Sequence, residues 1–329
     1  MTSGLRIVLP GGAATGAAWV SSRVSGAEIV VVDSAGRDDL RRALAGADAV
    51  VAGELGADVL EHACELRLVH VLGAGWDGIA VDALPDGCVV CNVYEHETAI
   101  GEWVLMVMLA LTRRLIVYDR DLRAGDWHTA FSYGGKPERD LRGSIVGCIG
   151  AGNIGSRVVE LARSFGMRAI AVTRAPTPER AALLGVEWLG SMDDLQRLLS
   201  ESDFTVVCVP LAETTAGLLG PAELELIGPT GYLVNVARGA IVQEAPLYEA
   251  LRANSIAGAG LDVWYRYPEH VGEMVMPASL PFWELDNVVM TPHSAGWSED
   301  ALERRWRFIS EQIARLEEGR PLENIVARR

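Results

Sequence analysis

One stretch restricts what this chain can fold into more than any other: Ile145-Val-Gly-Cys-Ile-Gly150-Ala-Gly152-Asn-Ile-Gly155. An apolar run leads into Gly-x-Gly-x-x-Gly, and a helical pattern (SRVVELARSFG, 156–166) follows at once. In a chain with 35 glycines the six-residue pattern alone means little. The order strand, glycine turn, helix is what makes it a dinucleotide-binding unit. The first glycine allows a tight turn, the second lets backbone approach a pyrophosphate, and the third lets helix and strand pack closely. The helix N-terminus adds free N–H groups and the positive end of its dipole. The next apolar run, RAIAVT (168–173), supplies the second strand of a parallel sheet.

Around this unit the chain alternates strand-like and helical segments. Before it, LRIVLP, EIVVVD, DAVVAG, RLVHVLG and CVVCNV read as strands, with RDDLRRALAG and GADVLEHACE as helices between them. After it come FTVVCVP, YLVNVA, AGAGLDV and NVVMTPH, with helices expected at 156–165, 192–200, 221–227 and 245–253. Such alternation implies parallel sheets with crossover helices, each doubly wound. An apolar helix is expected from Ile100 to about Leu115, and another over 300–319. Residues 118–143 (YDRDLRAGDWHTAFSYGGKPERDLRG) have no clear period and read as an arm or linker. At 329 residues two domains are expected.

Charge and cysteine usage exclude several classes. A net charge of −15 disfavours nucleic acid and anionic membrane surfaces, which require a basic face. The longest apolar run, WVLMVMLAL (103–111), is about half of the ~20 residues a membrane helix needs. The N-terminal MTSGLRIVLPGG has no signal-peptide architecture, so a cytoplasmic location is expected. Cys88 and Cys91 form a CxxC inside a strand, with no second pair to complete a zinc site. They read as buried reduced thiols, and no metal site is expected.

Four polar positions fall at expected strand ends, where a doubly wound sheet places its ligands: Arg238 after VNVA, Asp262 after GAGL, His293 after VVMTP, and the pair Thr173-Arg174 after AIAV. Together with the glycine turn they sit in a wider series: VLGAGWDGI (71–79), IGEW (100–103), VPLAETTAGLL (209–219), LVNVARGAIVQEAPLYEAL (233–251), AGAGLDVW (257–264) and TPHSAGW (291–297). In these motifs and their order the chain resembles the D-isomer-specific 2-hydroxyacid dehydrogenases, from about Leu66 to the C-terminus. The family includes glyoxylate/hydroxypyruvate reductases and D-lactate, phosphoglycerate, formate and phosphite dehydrogenases.

The resemblance implies two Rossmann-like or flavodoxin-like domains with a cleft between them. Residues 1–101 plus 295–329 would form a discontinuous substrate domain, and 102–294 the dinucleotide-binding domain. It also implies residue roles. Arg238 would hold the substrate carboxylate in a bidentate fork and polarise the neighbouring carbonyl, which suits a planar, permanently charged group. His293 would give the carbonyl oxygen a proton as hydride arrives, and an imidazole with an ordinary pKa near 6.5 is suited to that. Ala74, Gly75 and Trp76 would contribute to the substrate site, the first two through backbone N–H groups. Gly150, Gly152, Asn153, Ile154, Gly155, Thr173, Arg174, Val209, Pro210, Thr215, Val236, Ala237, Asp262 and Ala295 would line the cofactor, together with Arg238 and His293. A homodimer through the cofactor domains is implied, with 118–143 as an arm.

Two departures from the family pattern matter. The family places a glutamate five residues after the strand-end aspartate, just before a proline, where it hydrogen-bonds the catalytic histidine. Here the run is Asp262-Val-Trp264-Tyr265-Arg266-Tyr267-Pro268, so Tyr267 holds that position. Losing a carboxylate partner would let the histidine's pKa fall and loosen its orientation; Glu269, two residues on, is the alternative carboxylate. Formate dehydrogenases share DVW and the missing glutamate, but their substrate loop differs from NVYEHETAIGE (92–102). Secondly, NAD sites end the second strand in Asp or Glu, which bonds both ribose hydroxyls. Thr173-Arg174 would instead bind a 2′-phosphate, with Arg168 and Arg180 adding positive charge. NADP(H) is therefore expected over NAD(H).

The expected activity is reduction of a small 2-oxo acid with NADPH, the partner being a small carboxylate. Trp76, Trp103, Tyr267 and Trp297 are candidates to line the acid's pocket, or else to pack. Two alternatives stay open: an oxidoreductase on another small anion (phosphonate or formate), and a non-catalytic NAD(P)-sensing binding protein.

Overall fold

The computed structural model describes residues 4–32, 37–268 and 272–329. Five strands come first: β1 Arg6–Pro10, β2 Glu28–Val32, β3 Ala49–Val51, β4 Leu68–His70 and β5 Val89–Cys91. Seven more follow: β6 Ile145–Ile149, β7 Arg168–Val172, β8 Leu189–Gly190, β9 Phe204–Val207, β10 Tyr232–Asn235, β11 Gly258–Leu261 and β12 Val288–Met290. A last strand, β13, spans Ile325–Arg328.

The chain divides into two compact units. One comprises Met1–His96, Pro268–Met274 and Ser298–Arg329; the other comprises Glu97–Tyr267 and Val275–Trp297. The first unit carries a six-stranded sheet in the order β13-β5-β4-β3-β1-β2. All its pairs are parallel except β13 on β5. Leaving out the antiparallel edge, this is the flavodoxin-like order. Its inner strands β1, β3 and β4, with β5, read as nearly continuous buried runs because helices cover the sheet, while the edge strands β2 and β13 stay partly exposed. On one face the helix Glu299–Glu317 buries Trp306, Ile309 and Ile313 against Ile7, Leu9 and Leu68. Ser298 caps that helix, its hydroxyl accepting from Ala301 N at 3.3 Å.

The second unit carries seven parallel strands in the order β12-β11-β10-β9-β6-β7-β8. The two halves wind outward from the β6–β9 pair, the Rossmann arrangement extended by one strand. The helix Glu97–Thr112 lies on one face and buries Trp103, Val104, Val107 and Met108 against β6, β9 and β10 residues. The α/β, doubly wound class anticipated from the alternation is what forms.

Four local differences have clear causes. β8 was not anticipated: two residues carry no periodic signal, and the strand exists because Ala171 and Val172 of β7 offer a free ladder. The helix expected over 56–65 covers only Ala57–Leu60. The apolar helix ends at Thr112, Arg114 takes a left-handed conformation (φ 49°), and a new helix, Leu115–Arg123, runs into the segment read as an arm. A short helix, Ala17–Arg23, was also missed; with little polar contrast, AAWVSSR has no amphipathic signature. Among the described residues no helix is long and apolar enough to cross a membrane. Nor does any cluster of three or more His, Cys, Asp or Glu there form a metal site. Cys88 and Cys91 are buried free thiols, as expected, and burial pushes their pKa up to about 11 and about 12.

Candidate active site

The glycine turn is built as the motif demands. Gly150 stands at φ 99°, and a Cβ there would lie 2.9 Å from Cys208 O and Val209 Cγ1, so the β6 exit passes close under the end of β9. A Cβ on Gly155 would come within 2.1 Å of Gly150 O, which is the helix-on-strand approach that only glycine permits. At Gly152 a Cβ would meet nothing within 4 Å. Gly152 caps the helix Asn153–Ser164, so the N–H groups of Asn153, Ile154 and Gly155 begin the helix at an open surface. This cradle, with space outside its middle glycine, fits a pyrophosphate.

At the end of β7, Thr173 is buried and its N–H bonds Gly190 O at 2.9 Å, while Arg174 is exposed. Arg180 reaches back and donates from Nη2 to Ala151 O at 2.7 Å, so its guanidinium lies beside the glycine turn. Arg168 does not serve this edge: it stands at the opposite end of β7 in a two-bond ion pair with Glu187, both at 2.6 Å. After β9, the Thr215 hydroxyl donates to Pro210 O at 2.7 Å and accepts from Ala212 N at 2.8 Å, which shapes the 209–215 turn. Val209 is partly buried and Pro210 exposed. The side chains of Val236, Ala237 and Ala295 are buried.

Three strand ends are tied together on the other half of the sheet. Asn235, the last residue of β10, accepts from Ala237 N at 3.1 Å and donates to Arg238 O at 3.0 Å, shaping the turn that presents Arg238. Arg238 itself donates from Nη1 to Ala237 O at 2.8 Å. The next residue must be glycine, because a Cβ on Gly239 would come within 2.3 Å of Trp264 O. After β11, the buried Asp262 carboxylate accepts from Thr291 Oγ1 (2.5 Å), Ser294 N (2.8 Å) and Ala295 N (2.9 Å). It therefore clamps the turn carrying His293, which sits in a left-handed conformation at φ 56°.

Trp264 connects these turns. Its indole N–H donates to Thr291 O at 2.8 Å and its backbone N–H donates to Tyr267 Oη at 3.0 Å. The Tyr267 hydroxyl in turn lies 3.1 Å from Nδ1 of His293, with the ring centroids 5.7 Å apart. At the position where the family's carboxylate is missing, a phenol therefore reaches Nδ1 of the histidine. Glu269 lies outside the described residues.

In the first unit, the loop after β4 carries Ala74, Gly75 and Trp76. Ala74 O accepts from Asn92 Nδ2 at 2.8 Å, Gly73 O from Val93 N at 3.2 Å, and Leu72 O from Arg305 Nη1 at 2.9 Å. Trp76 is exposed, as is Trp297 in the second unit. Trp103 is not available to line a pocket; it is buried in the core of the second unit. A cavity of about 450 Å³ lies at the amino-terminal edge of the second sheet, between Leu111, Arg114, Tyr232, Asp286 and Val288. It is at the opposite end of the strands from the turns described above.

Asn92, Asn235, Trp264 and Thr291 were missed in the sequence. Asn at a strand end is a recognisable turn-forming signal, so Asn235 in VNVARG and Asn92 in CVVCNV were findable. The roles of Trp264 and Thr291 arise from contacts across separate strands.

The model of the D-isomer specific 2-hydroxyacid dehydrogenase NAD binding domain matches residues 105–295. A glyoxylate reductase of Korarchaeum cryptofilum is 34% identical over 274 residues, covering 82% of this chain and 79% of its own. A D-3-phosphoglycerate dehydrogenase of Archaeoglobus fulgidus is 32% identical over 92% of this chain; the match spans 56% of that protein's length. Among solved structures, the NADPH-dependent glyoxylate/hydroxypyruvate reductase of Sinorhizobium meliloti, in complex with NADP and malonate, superposes with a TM-score of 0.81. It is 26% identical, with 99% of each chain covered. The chain belongs to the D-isomer specific 2-hydroxyacid dehydrogenase family. It is an oxidoreductase of the NAD(P)-dependent class that acts on the CH–OH group of 2-hydroxy acids.

Proposed function

We propose that this protein reduces a small 2-oxo acid of the glyoxylate or hydroxypyruvate kind, with NADPH preferred over NADH. The observation that carries the reading is the joint anchoring of Arg238 and His293: Gly239 packs on Trp264, and the Trp264 indole holds the strand end that precedes His293. In this reading the Arg238 guanidinium binds the acid's carboxylate and orients its carbonyl. His293 donates a proton to the carbonyl oxygen, and Asp262 keeps the histidine turn in place. For the loop of the first unit we propose that the Ala74 and Gly75 N–H groups bind carboxylate, with Trp76 beside them. The bound nicotinamide supplies the hydride.

The relatives named for glyoxylate reduction support the substrate class, and the exposed Arg174 beside Thr173, with Arg180 near the glycine turn, supports recognition of a 2′-phosphate. A homodimer through the second unit is part of the proposal. It is supported by apolar side chains left in solvent along 106–133, namely Met106, Leu115, Ile116, Leu122, Trp127 and Phe131, the last 95% exposed.

Steady-state oxidation of NADPH and NADH against a panel of 2-oxo acids, formate and phosphonates tests the reading. Turnover of a short 2-oxo acid with NADPH as the better cofactor is expected. NADPH binding without turnover of any acid would leave a sensing protein instead, and activity on formate or a phosphonate alone would move the substrate class.

A further inference from the structure

We propose that Asn92 and Arg305 are positioning residues for the substrate's carboxylate: they hold the carbonyl oxygens of the 72–74 loop against the protein and so aim the N–H groups of Ala74 and Gly75 at the acid. The inference rests on the reading of those two N–H groups as carboxylate donors and deepens it by naming what sets their direction.

Three successive carbonyls of the loop are each held. Leu72 O accepts from Arg305 Nη1 at 2.9 Å, Gly73 O from Val93 N at 3.2 Å, and Ala74 O from Asn92 Nδ2 at 2.8 Å. The peptide bonds here are trans. In a planar trans peptide the C=O and the N–H of the next residue point in opposite directions. Fixing Gly73 O and Ala74 O on the β5 exit therefore turns the N–H groups of Ala74 and Gly75 away from it. Fixing Leu72 O on the helix Glu299–Glu317 sets the peptide plane that precedes them.

The sequence of the loop makes such a clamp necessary. Glycines at 73 and 75 flank Ala74, and a glycine backbone passes between orientations that other residues resist. Unheld, either peptide of Gly73-Ala74-Gly75 is free to rotate and present its carbonyl, whose negative end repels a carboxylate. Both clamping side chains stand on rigid supports. Asn92 is 2% exposed, and its own backbone N–H donates to Asn324 O at 3.1 Å. Arg305 precedes the buried Trp306 on a helix whose Ile309 and Ile313 also lie in the core. Burial holds the pKa of Arg305 below its usual value, yet a guanidinium stays charged at neutral pH. Its positive charge stands close to the loop and favours an anion there.

The test uses the full-length protein with NADPH bound and oxalate as the probe, since oxalate offers the carboxylate of a 2-oxo acid and is not reduced. Titration calorimetry gives its Kd in the wild type, Asn92→Ala, Arg305→Met and Arg305→Lys. Steady-state kinetics with glyoxylate gives KM and kcat for the same proteins. Misaiming donors to a charged group should raise the oxalate Kd and the glyoxylate KM about 10-fold in Asn92→Ala and Arg305→Met. The kcat should change less than about 3-fold and KM for NADPH less than about 2-fold, as for loss of uniform binding. Arg305→Lys keeps the charge and a donor, so it should recover to within about 3-fold of wild type. If Arg305→Met does not fold, Asn92→Ala and Arg305→Lys carry the test. Wild-type oxalate affinity in Asn92→Ala, no oxalate binding to the wild type, or equal losses for oxalate and NADPH would each overturn the proposal. Oxalate binding that weakens as expected, while no 2-oxo acid is turned over, would end the assigned function and leave the positioning role standing.

Discussion

Two histidines follow apolar strands in this chain, and they are opposites. His70 closes β4 in RLVHVLG; His293 lies three residues past β12 in VVMTPH. His70 is fully buried. Its Nδ1–H donates to Val71 O at 2.9 Å, and its ring meets Phe308 edge-on at 6.0 Å. Nε2 has no hydrogen-bond partner among the described residues. Burial pulls its pKa down to about 4, offset in part by the bond to the Val71 carbonyl, so at neutral pH it is an uncharged core residue. His293 is exposed, stands in a left-handed conformation, and meets a phenol. The two side chains are the same imidazole; the fold turns one inward as a core residue and lifts the other onto a clamped, exposed turn.

The sharpest way to break this contrast is to remove each histidine in turn. His293→Ala should lower the rate of 2-oxo acid reduction by roughly two to four orders of magnitude. Its free energy of unfolding in urea should stay within about 0.5 kcal/mol of wild type, as for an exposed side chain. A near-wild-type rate would end its assignment as proton donor.

His70 should do the reverse and show itself in stability against pH. Its folded pKa is depressed from 6.5 to about 4, so between those values the unfolded chain takes up a proton that the folded one refuses. Stability from this group is fully present above pH 6.5, falls as pH drops toward 4, and levels off below that. The loss amounts to about 3 kcal/mol. Urea unfolding at pH 7 and pH 4.5 should show the drop in wild type and a shallower one in His70→Leu; parallel curves would mean the ring is accessible to protons in the folded state.

The clamp under His293 predicts a third difference. Asp262→Ala leaves the N–H groups of Ser294 and Ala295 without their acceptor, which should cost about 1–3 kcal/mol of stability and lower kcat as the turn relaxes. Unchanged activity in a destabilised variant would separate the carboxylate's packing role from His293. The smallest effect belongs to the exposed end of β7. Arg174→Ala should weaken NADPH by about tenfold, the scale of one charge-assisted contact near the surface, and NADH hardly at all. Equal weakening of both, measured by fluorescence titration, would remove the phosphate assignment.

Much of this was legible in the residues. The glycine turn, the alternating strands and the strand-end positions of Arg238, Asp262 and His293 follow from local pattern, because a parallel strand buried on both faces announces itself as an apolar run and ends where polar residues begin. What local pattern misses is pairwise and long-range. Two-residue β8 exists through its neighbour, and the helix Leu115–Arg123 follows a backbone reversal at Arg114 inside a segment that looked irregular. Arg168 and Arg174 are six residues apart on the same strand and its exit, yet only Arg174 stands at the end where the glycine turn lies; Arg168 is paired with Glu187 at the other.

The sequence by itself determined the family, two doubly wound sheets and a dinucleotide cradle, since spacing between glycines and the rhythm of apolar runs are one-dimensional properties. Only the tertiary structure decided what accompanies His293. In one dimension Tyr267 is a missing carboxylate. In three, the Trp264 N–H and the Asp262 clamp bring its hydroxyl to Nδ1, because separate strand exits converge there and hydrogen bonding depends on distance and direction rather than on order along the chain.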